Sequence, residues 1–288
     1  MRALVLSGGG AKGAYQVGVL SKWMMEDGRD YDLICGVSVG ALNGAVLASA
    51  RAGDPKAAWL KLDAFWRNIT TAKVRKPWPV FGAAAAMWKP SVYDSSPLAA
   101  WAYKELSAKT IRASGRQLVV GAVCWETGEY RVADQTSDDI VSWVLASSAY
   151  PVFMSPVKIG DRLWTDGGVR EVTPLGAAIK RGATEIDVIL CDPPKPTPWS
   201  PRNQAAVPGF ALRTIELLLA EIVENDLTVC GLKNELAELS GKYKKLTVRV
   251  VRPSFDLEVD SLSFTSDTTA RLVDLGYADA LRDHVVLL

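Results

Sequence analysis

The chain has 288 residues, of which 49% are hydrophobic and 23% are charged, and its 33 basic and 32 acidic side chains leave a net charge of +1. This is the composition of an ordinary globular protein, so it excludes disordered, collagen-like and coiled-coil chains. A near-neutral charge also argues against a nucleic-acid partner, because binding nucleic acid requires a basic surface that displaces phosphate counterions.

Targeting and membrane signals are weak in this sequence. The longest apolar candidate for a span, residues 80–88, has about half the length that a bilayer requires. The N-terminus has the pattern of a strand that runs into glycines, without the apolar h-region of a signal peptide. We therefore expect neither a signal peptide nor a transmembrane helix, and a cytoplasmic protein that is at most peripheral to a membrane.

Residue types that bind metals are scarce and scattered. The 4 cysteines lie far apart without a C-x-x-C pair, which is typical of free thiols in a reducing compartment. The single histidine is His284, close to the end of the sequence. We predict no metal site and no cofactor.

Strand and helix patterns alternate along the chain. Apolar runs predict strands at residues 2–6, 31–35, 117–125, 129–132, 162–164, 185–191 and 246–251, with the third and fourth forming a hairpin. Helices are predicted after the glycines that follow the first two strands, at the caps Asp54, Ser96, Ser137 and Thr173, and at 210–239 and about 267–283. The alternation predicts an α/β fold with a mainly parallel central sheet flanked by helices.

Proline usage indicates one internal boundary. Six of the 15 prolines lie between Pro193 and Pro208, which is typical of an extended loop. We expect a single domain over residues 1–288, with a core at 1–192, a Pro-rich loop at 193–208 and a helical C-terminal extension at 209–288.

The first motif, Gly8-Gly9-Gly10-Ala11-Lys12-Gly13, follows a predicted strand and opens a helix. Its glycines let backbone N–H groups approach an anion, and the helix N-terminus adds a partial positive charge. The motif also matches the dinucleotide fingerprint G-x-G-x-x-G, with Asp32 about 20 residues further on. A dinucleotide site, however, needs its acid at the end of the second strand, whereas Asp32 begins that strand. A tight turn that binds nothing is a further alternative.

The second motif, Gly36-Val37-Ser38-Val39-Gly40, occupies the end of the second predicted strand. A G-x-S-x-G sequence between a strand and a helix is typical of a nucleophile elbow, in which a sharp turn exposes the serine oxygen and Gly36 and Gly40 relieve crowding. The alternative is a serine that only caps the following helix.

A nucleophilic serine needs a base, and the sequence offers two. His284 comes last in the chain, as the histidine of an α/β-hydrolase triad does, but the end of the final predicted helix also suits a histidine that caps that helix. The third motif, Asp166-Gly167-Gly168, follows an apolar run, and its glycines permit a tight turn that aims the carboxylate at a neighbour. An Asp-Gly hairpin turn is the alternative.

In this order, the three motifs resemble the patatin-like phospholipase family, whose pattern is a G-G-G-x-[RK]-G loop, a G-x-S-x-G elbow and a D-G-[AG] turn. Two further segments are similar to that family, Ser147-Ser148-Ala149-Tyr150-Pro151 and Thr173-Pro174-Leu175. The resemblance covers residues 2–191 closely and the C-terminal part loosely. It implies a patatin-like three-layer α/β/α fold and a lipid acyl hydrolase of phospholipase A type whose chemistry requires no metal.

The resemblance also implies a role for each residue of the motifs. Ser38 would be the nucleophile and Asp166 the general base, with Gly167 and Gly168 in the turn after it. Lys12, where arginine is more usual, would add a positive field without the bidentate fork of arginine. The oxyanion hole and its loop would comprise Gly8, Gly9, Gly10, Lys12, Gly13 and Val39.

An acyl-lipid substrate implies access to a membrane surface. Trp78 and Trp88 lie in a segment that is rich in lysine and arginine, and such a segment could contact lipid headgroups transiently. Trp59 and Trp66 are spaced for one helix face and are predicted core residues. Two other functions stay open: a soluble carboxylesterase or thioesterase on small acyl substrates, and a nucleotide-binding module that uses the glycine loop.

Overall fold

The computed structural model of the chain describes residues 1–79, 82–196, 198, 207–240 and 245–282. Its strands are β1 (Arg2–Leu6), β2 (Leu33–Gly36), β3 (Gln117–Cys124), β4 (Tyr130–Asp134), β5 (Val157–Ile159), β6 (Arg162–Asp166), β7 (Glu185–Ile189) and β8 (Thr247–Val251). Its α-helices are α1 (Ala14–Leu20), α2 (Val39–Ala48), α3 (Pro55–Asn68), α4 (Thr71–Val74), α5 (Ser96–Glu105), α6 (Ala108–Ala113), α7 (Ile140–Ser147), α8 (Leu175–Lys180), α9 (Val207–Ser240) and α10 (Ser266–Leu281). Short 3-10 helices occur at Gly10–Gly13, Gly82–Met87 and Gly167–Val169, and a π-helical segment occurs at Ser21–Glu26.

The strands form one mixed sheet. Within the described residues it has eight strands in the order β5-β6-β3-β2-β1-β7-β8, and β4 pairs with β3. Strands β1, β2, β3, β7 and β8 run parallel to one another, whereas β4 and β6 are antiparallel to β3, and β5 is antiparallel to β6. The mainly parallel sheet and the hairpin of β3 and β4 are therefore confirmed.

Alternating side chains of the strands build two hydrophobic cores, one on each face of the sheet. Leu4 and Leu6 of β1 pack on one face with side chains of α1, α2, α3 and α7. Ala3 and Val5 pack on the other face with side chains of α8 and α9. Strands that are covered on both faces are apolar at nearly every position, as β1 and β2 are. The result is the three-layer α/β/α arrangement that the resemblance implies.

Of the four predicted helix caps, Asp54 is confirmed and the other three differ. The N-cap of α5 is Ser95 rather than Ser96, and the N-cap of α8 is Pro174 rather than Thr173. Asp54 caps α3 as predicted, and its side chain accepts a backbone hydrogen bond at 2.9 Å. The prediction that Ser137 caps α7 is wrong, because the cap is Asp139, which accepts a hydrogen bond from Ser142 N at 3.1 Å. Ser137 lies instead in the preceding turn, where its N–H donates to Asp134 O at 2.9 Å.

The C-terminal part of the chain contributes to the same sheet and core. Strand β8 pairs in parallel with β7 and extends the sheet beyond it. Helix α10 packs along α1, and Tyr15 donates a buried hydrogen bond to Asp279 Oδ2 at 2.9 Å between them. His284 and most of the predicted Pro-rich loop lie outside the described residues. No helix in the described part of the chain is long and apolar enough to cross a bilayer.

Candidate active site

The sheet brings the glycine loop and the serine to the same height. Leu6 of β1 pairs with Gly36 of β2, so the residues two positions further along, Gly8 and Ser38, are level at the carboxyl end of the sheet. A Cβ atom placed on Gly8 would lie 3.2 Å from Ser38 Cβ and 3.8 Å from Ser38 Oγ. The glycine loop therefore borders the serine directly.

Strand β6 brings Asp166 to the same point from the opposite direction. On one edge of β3, Val120 pairs with Gly36 of β2, and Ala122 pairs with Asp166 of β6. Strand β4 occupies the other edge of β3 along this stretch, so β2 and β6 meet end to end. Asp166 is the last residue of β6. It consequently lies at the turn that follows β2 and contains Ser38.

The turn at Ser38 has the geometry of a nucleophile elbow. Ser38 has φ 57° and ψ −127°, which is strained for a residue with a side chain, and α2 begins at the next residue. Gly40 permits this turn, because a Cβ atom there would lie 2.3 Å from Leu6 O. Ser38 is only partly buried, whereas Val37 and Val39 on either side of it are buried. The turn therefore leaves part of Ser38 exposed, while the residues on either side of it stay buried.

Three residues at the end of α7 hold the elbow and the aspartate together. Ser38 N donates a hydrogen bond to Ser147 Oγ at 3.1 Å, and Ser148 Oγ donates to Ser38 O at 3.0 Å. The carbonyl of Ala149 accepts a hydrogen bond from Asp166 N at 3.1 Å. This role was not predicted. Two adjacent serines at the end of an apolar helix are the sequence signal that could have indicated it.

The carboxyl group of Asp166 is buried and only half satisfied. Its Oδ1 accepts a hydrogen bond from Gly168 N at 2.8 Å, while Oδ2 has no hydrogen-bond partner among the described residues. Burial raises the pKa of Asp166 to about 7, against the smaller effects of the Ser38 hydroxyl and the Gly168 amide, which favour the charged form. The Ser38 hydroxyl is therefore close enough to influence the carboxylate, although its geometry is not that of a hydrogen bond to Oδ2.

The glycine loop contributes backbone N–H groups and the side chain of Lys12 to the candidate site. Gly9 and Gly10 have φ values of 152° and 58°, a region that favours glycine. Their amides and that of Val39 donate no hydrogen bond within the part of the chain that the structure describes. Lys12 Nζ forms an ion pair with Asp192 Oδ1 at 2.6 Å. Burial acts to lower the pKa of Lys12, but Asp192 outweighs it and the pKa is raised, so the ammonium group stays charged.

Two glycines of the motifs allow close packing around Ser38 and Asp166. A Cβ atom on Gly13 would lie 2.4 Å from Val39 Cγ2, and one on Gly167 would lie 2.4 Å from Gly121 O. Neither distance is compatible with a side chain at these positions. The glycine loop therefore packs directly on the elbow helix, and the turn after Asp166 packs directly on β3.

A buried polar network beneath the glycine loop was also not predicted. Gln16 Nε2 donates to Ser7 O at 2.9 Å, Asn43 Nδ2 donates to Gln16 Oε1 at 2.8 Å, and Trp66 Nε1 donates to Asn43 Oδ1 at 2.8 Å. Gln16 and Asn43 are fully buried, and Trp66 is buried as predicted. The network joins α1, α2 and α3 beneath the loop. The signal in the sequence was a single polar residue inside each of two apolar helices, Gln16 in α1 and Asn43 in α2.

Two of the candidate residues do not join this cluster. Asp32 directly precedes β2, at the amino end of the sheet, where its Oδ2 accepts a hydrogen bond from Arg2 N at 3.0 Å. The glycine loop lies at the carboxyl end of the sheet, so Asp32 is in the wrong place to bind the ribose of a dinucleotide there. The other candidate base, His284, lies outside the described residues.

The predicted membrane segment contains one exposed and one anchored tryptophan. Trp88 is 58% exposed, next to Met87 at 85%. Trp78 is half-buried, its Nε1 donates to Ser91 O at 2.9 Å, and Lys89 Nζ lies 5.1 Å from the centre of its ring. Of the two, Trp88 presents the larger surface.

A comparison with family models matches the part of the chain that contains this site. The patatin-like phospholipase family model matches residues 4–179, a stretch that contains all three motifs. Comparison with curated proteins gives no match. Among solved structures, the crystal structure of VipD from Legionella pneumophila is similar over 97% of this chain and 66% of that chain, at 17% sequence identity and a TM-score of 0.47. The chain thus spans just under two thirds of the length of that protein. Because the family model covers more than half of its residues, the chain belongs to the patatin-like phospholipase family.

Proposed function

We propose that the protein is a serine-dependent lipid acyl hydrolase of the phospholipase A type, with Ser38 as the nucleophile and Asp166 as the general base. Membership of the family supports hydrolysis of lipid acyl esters in broad terms. One observation carries the finer assignment: a buried carboxylate oxygen of Asp166, without a hydrogen-bond partner among the described residues, lies beside a serine in a strained elbow. An unsatisfied buried acceptor next to a hydroxyl is what proton transfer between them requires.

The first half-reaction transfers the acyl group to the serine. Asp166 Oδ2 accepts the hydroxyl proton while Ser38 Oγ attacks the ester carbonyl carbon, and the carbonyl electron pair moves onto the oxygen. When the tetrahedral intermediate collapses, the bond to the alcohol breaks, and the leaving lysolipid takes the proton from Asp166. A pKa near 7 suits this role, because a carboxylate of ordinary pKa is a weak base near neutral pH.

The second half-reaction releases the fatty acid. Asp166, again deprotonated, accepts a proton from a water molecule that attacks the acyl carbonyl carbon. The second tetrahedral intermediate collapses with departure of Ser38 Oγ, which regains the proton from Asp166. The pair thereby returns to its starting protonation state.

Backbone amides would stabilise the negative oxygen of both intermediates. The candidates are those of Gly9, Gly10 and Val39, which have no hydrogen-bond acceptor in the described residues. Val39 begins α2, so the positive end of that helix adds to the stabilisation. Lys12 contributes less field than a free ammonium group, because Asp192 neutralises part of it.

The test combines a fluorophosphonate probe, which reacts with activated serines, with phospholipid vesicles. We expect one probe molecule on Ser38, and release of fatty acid and lysolipid by the wild type but not by Ser38→Ala. Ser49→Ala, at the opposite end of α2, is the matched control and should keep both reactions. Hydrolysis of soluble short-chain esters without vesicle hydrolysis would support the esterase or thioesterase alternative. Vesicle hydrolysis that survives in Ser38→Ala would refute the proposal.

A further inference from the structure

Helix α9 lies beyond the part of the chain that matches the family model, yet it packs against a segment of the candidate active site. The family model ends at residue 179, and α9 follows it in the chain. Val223 and Leu227 of α9 belong to the same core as Val172, which comes shortly after the turn that contains the candidate base. One acidic side chain of α9, Asp226, also takes part in this contact.

Asp226 accepts a hydrogen bond from the main chain of that segment. Its Oδ2 accepts from Thr173 N at 3.1 Å. Thr173 is fully buried, so water cannot easily replace the carboxyl oxygen as the acceptor for this amide. The hydrogen bond therefore fixes the peptide between Val172 and Thr173.

The same peptide carries the carbonyl that holds the glycine loop. Val172 O accepts a hydrogen bond from Gly8 N at 3.4 Å. The next two residues of the loop, Gly9 and Gly10, carry backbone amides that are candidates for the oxyanion hole. A shift of this peptide would therefore move those amides relative to Ser38.

The side chain of Val172 lies between the glycine loop and the turn after Asp166. A Cβ atom on Gly8 would lie 3.9 Å from Val172 Cγ1, and one on Gly168 would lie 3.9 Å from Val172 Cγ2. Gly168 N is the donor of the hydrogen bond to Asp166 Oδ1 at 2.8 Å. Val172 is thus next to both the glycine loop and the amide that orients the candidate base.

We propose that Asp226 is a positioning residue for hydrolysis, which holds the amides of the glycine loop in place beside Ser38 through the peptide between Val172 and Thr173. The inference rests on the proposed function. Asp226 acts through main-chain geometry and not on the substrate. Its displacement should therefore lower kcat and leave KM nearly unchanged.

The position of the acceptor oxygen matters for this role, and a negative charge is not required. Burial raises the pKa of Asp226 to about 7; the Thr173 amide opposes this rise and the charge of Glu171 adds to it. Both protonation states of Asp226 are therefore present near neutral pH. The side-chain oxygen of an asparagine can accept the same hydrogen bond.

Two substitutions separate geometry from charge. Asp226→Asn keeps the acceptor oxygen without the charge, and its kcat on a soluble ester should stay within about threefold of the wild-type value. Asp226→Glu keeps the charge but displaces the oxygen by one methylene group, and its kcat should fall about a hundredfold while KM changes less than about twofold. Glu235→Ala, at an exposed position of the same helix, is the control and should keep both constants.

Circular dichroism measures the folded fraction of each variant. A residue needed only for stability would lower that fraction and leave kcat per folded molecule unchanged. If Asp226→Glu does not fold, Asp226→Ala, which removes the acceptor, takes its place with the same expected fall in kcat.

The outcomes separate this inference from the proposed function. If ester hydrolysis persists in Ser38→Ala, the proposed function is wrong. If hydrolysis requires Ser38 but folded Asp226→Glu keeps the wild-type kcat, only this inference is overturned. It is also overturned if Asp226→Asn loses as much kcat as Asp226→Glu, or if the loss is confined to KM.

Discussion

The carboxyl group of Asp166 has opposite effects on folding and on the proposed chemistry. Burial raises its pKa to about 7, whereas an aspartate in the unfolded chain titrates near 3.9. Between these two values the folded protein binds a proton that the unfolded chain has lost, so stability falls as the pH rises through this window. The same shift makes the carboxylate a better base. A residue that destabilises the fold but serves catalysis is typical of an active site.

The pH dependence of hydrolysis tests the proposed role of this carboxyl group. A general base must be deprotonated, so kcat/KM should rise about tenfold per pH unit below pH 7 and level off above it. The measurement is kcat/KM for a soluble ester from pH 5 to 9, with circular dichroism at each pH. A folded enzyme with unchanged kcat/KM between pH 5 and 8 would rule out a base with this pKa.

Replacing the carboxyl by an amide should stabilise the protein while removing its activity. At pH 8, Asp166→Asn should raise the free energy of unfolding by up to about 4 kcal/mol, since a shift of about three pKa units is removed. At pH 4 the gain should vanish, because Asp166 is protonated in the folded state. Urea unfolding at both pH values measures this. Asp161→Asn, an exposed control, should change little at either pH, and an equal gain in both variants would contradict the burial argument.

At the scale of elements, the close approach of α2 to β1 determines which residue can occupy the elbow at position 40. The N-terminal turn of α2 lies so close to the end of β1 that a Cβ atom on Gly40 would be 2.3 Å from Leu6 O. The glycine in α9 at position 231 has no neighbouring atom within 4 Å of the same point. A side chain at position 40 would therefore clash with the backbone of β1, whereas a side chain at position 231 would meet no neighbouring atom.

These two glycines should respond to alanine with opposite signs. Gly40→Ala forces backbone apart and should lower the free energy of unfolding by about 2 kcal/mol or more. Gly231→Ala should raise it by about 0.5–1 kcal/mol, the helix propensity difference. Thermal and urea unfolding of both variants provide the comparison. Equal effects would show that the close crossing at Gly40 is not what requires a glycine there.

The elements differ in how well the sequence predicts them. The pattern of β1 gives its bounds, residues 2–6, because each side chain is dictated by burial on one face of the sheet. Ser38 could be nominated from its local motif, and Asp166 because the three motifs in this order resemble those of the family. The anchoring of Ser38 by Ser147 and Ser148 and the pairing of Lys12 with Asp192 could not, because those contacts join residues more than a hundred positions apart.

At the scale of the whole molecule, the position of the motifs and the exposed side chains around Trp88 bear on the predicted membrane contact. All three motifs converge at the carboxyl end of the sheet. Elsewhere on the surface Trp88 and Met87 are exposed beside Lys89. A basic and aromatic segment of this kind favours contact with anionic lipid.

Membrane contact through this segment predicts weaker binding when Trp88 is removed. Trp88→Ala should lower partitioning onto anionic vesicles about tenfold, the gain lost when one large side chain no longer leaves water. Trp125→Ala is a matched control, because Trp125 is also 58% exposed but belongs to another segment. Vesicle co-sedimentation provides the measurement. Equal losses in both variants, or none in either, would contradict a specific role for Trp88.

The choice of base is the most direct test of the Ser38–Asp166 account. The measurement is kcat/KM of Asp166→Asn and His284→Ala on the same ester, with circular dichroism to establish that both variants fold. We expect kcat/KM of Asp166→Asn to fall about a thousandfold or more and His284→Ala to keep most of its activity. A folded His284→Ala that has lost several orders of magnitude, beside an active Asp166→Asn, would contradict it.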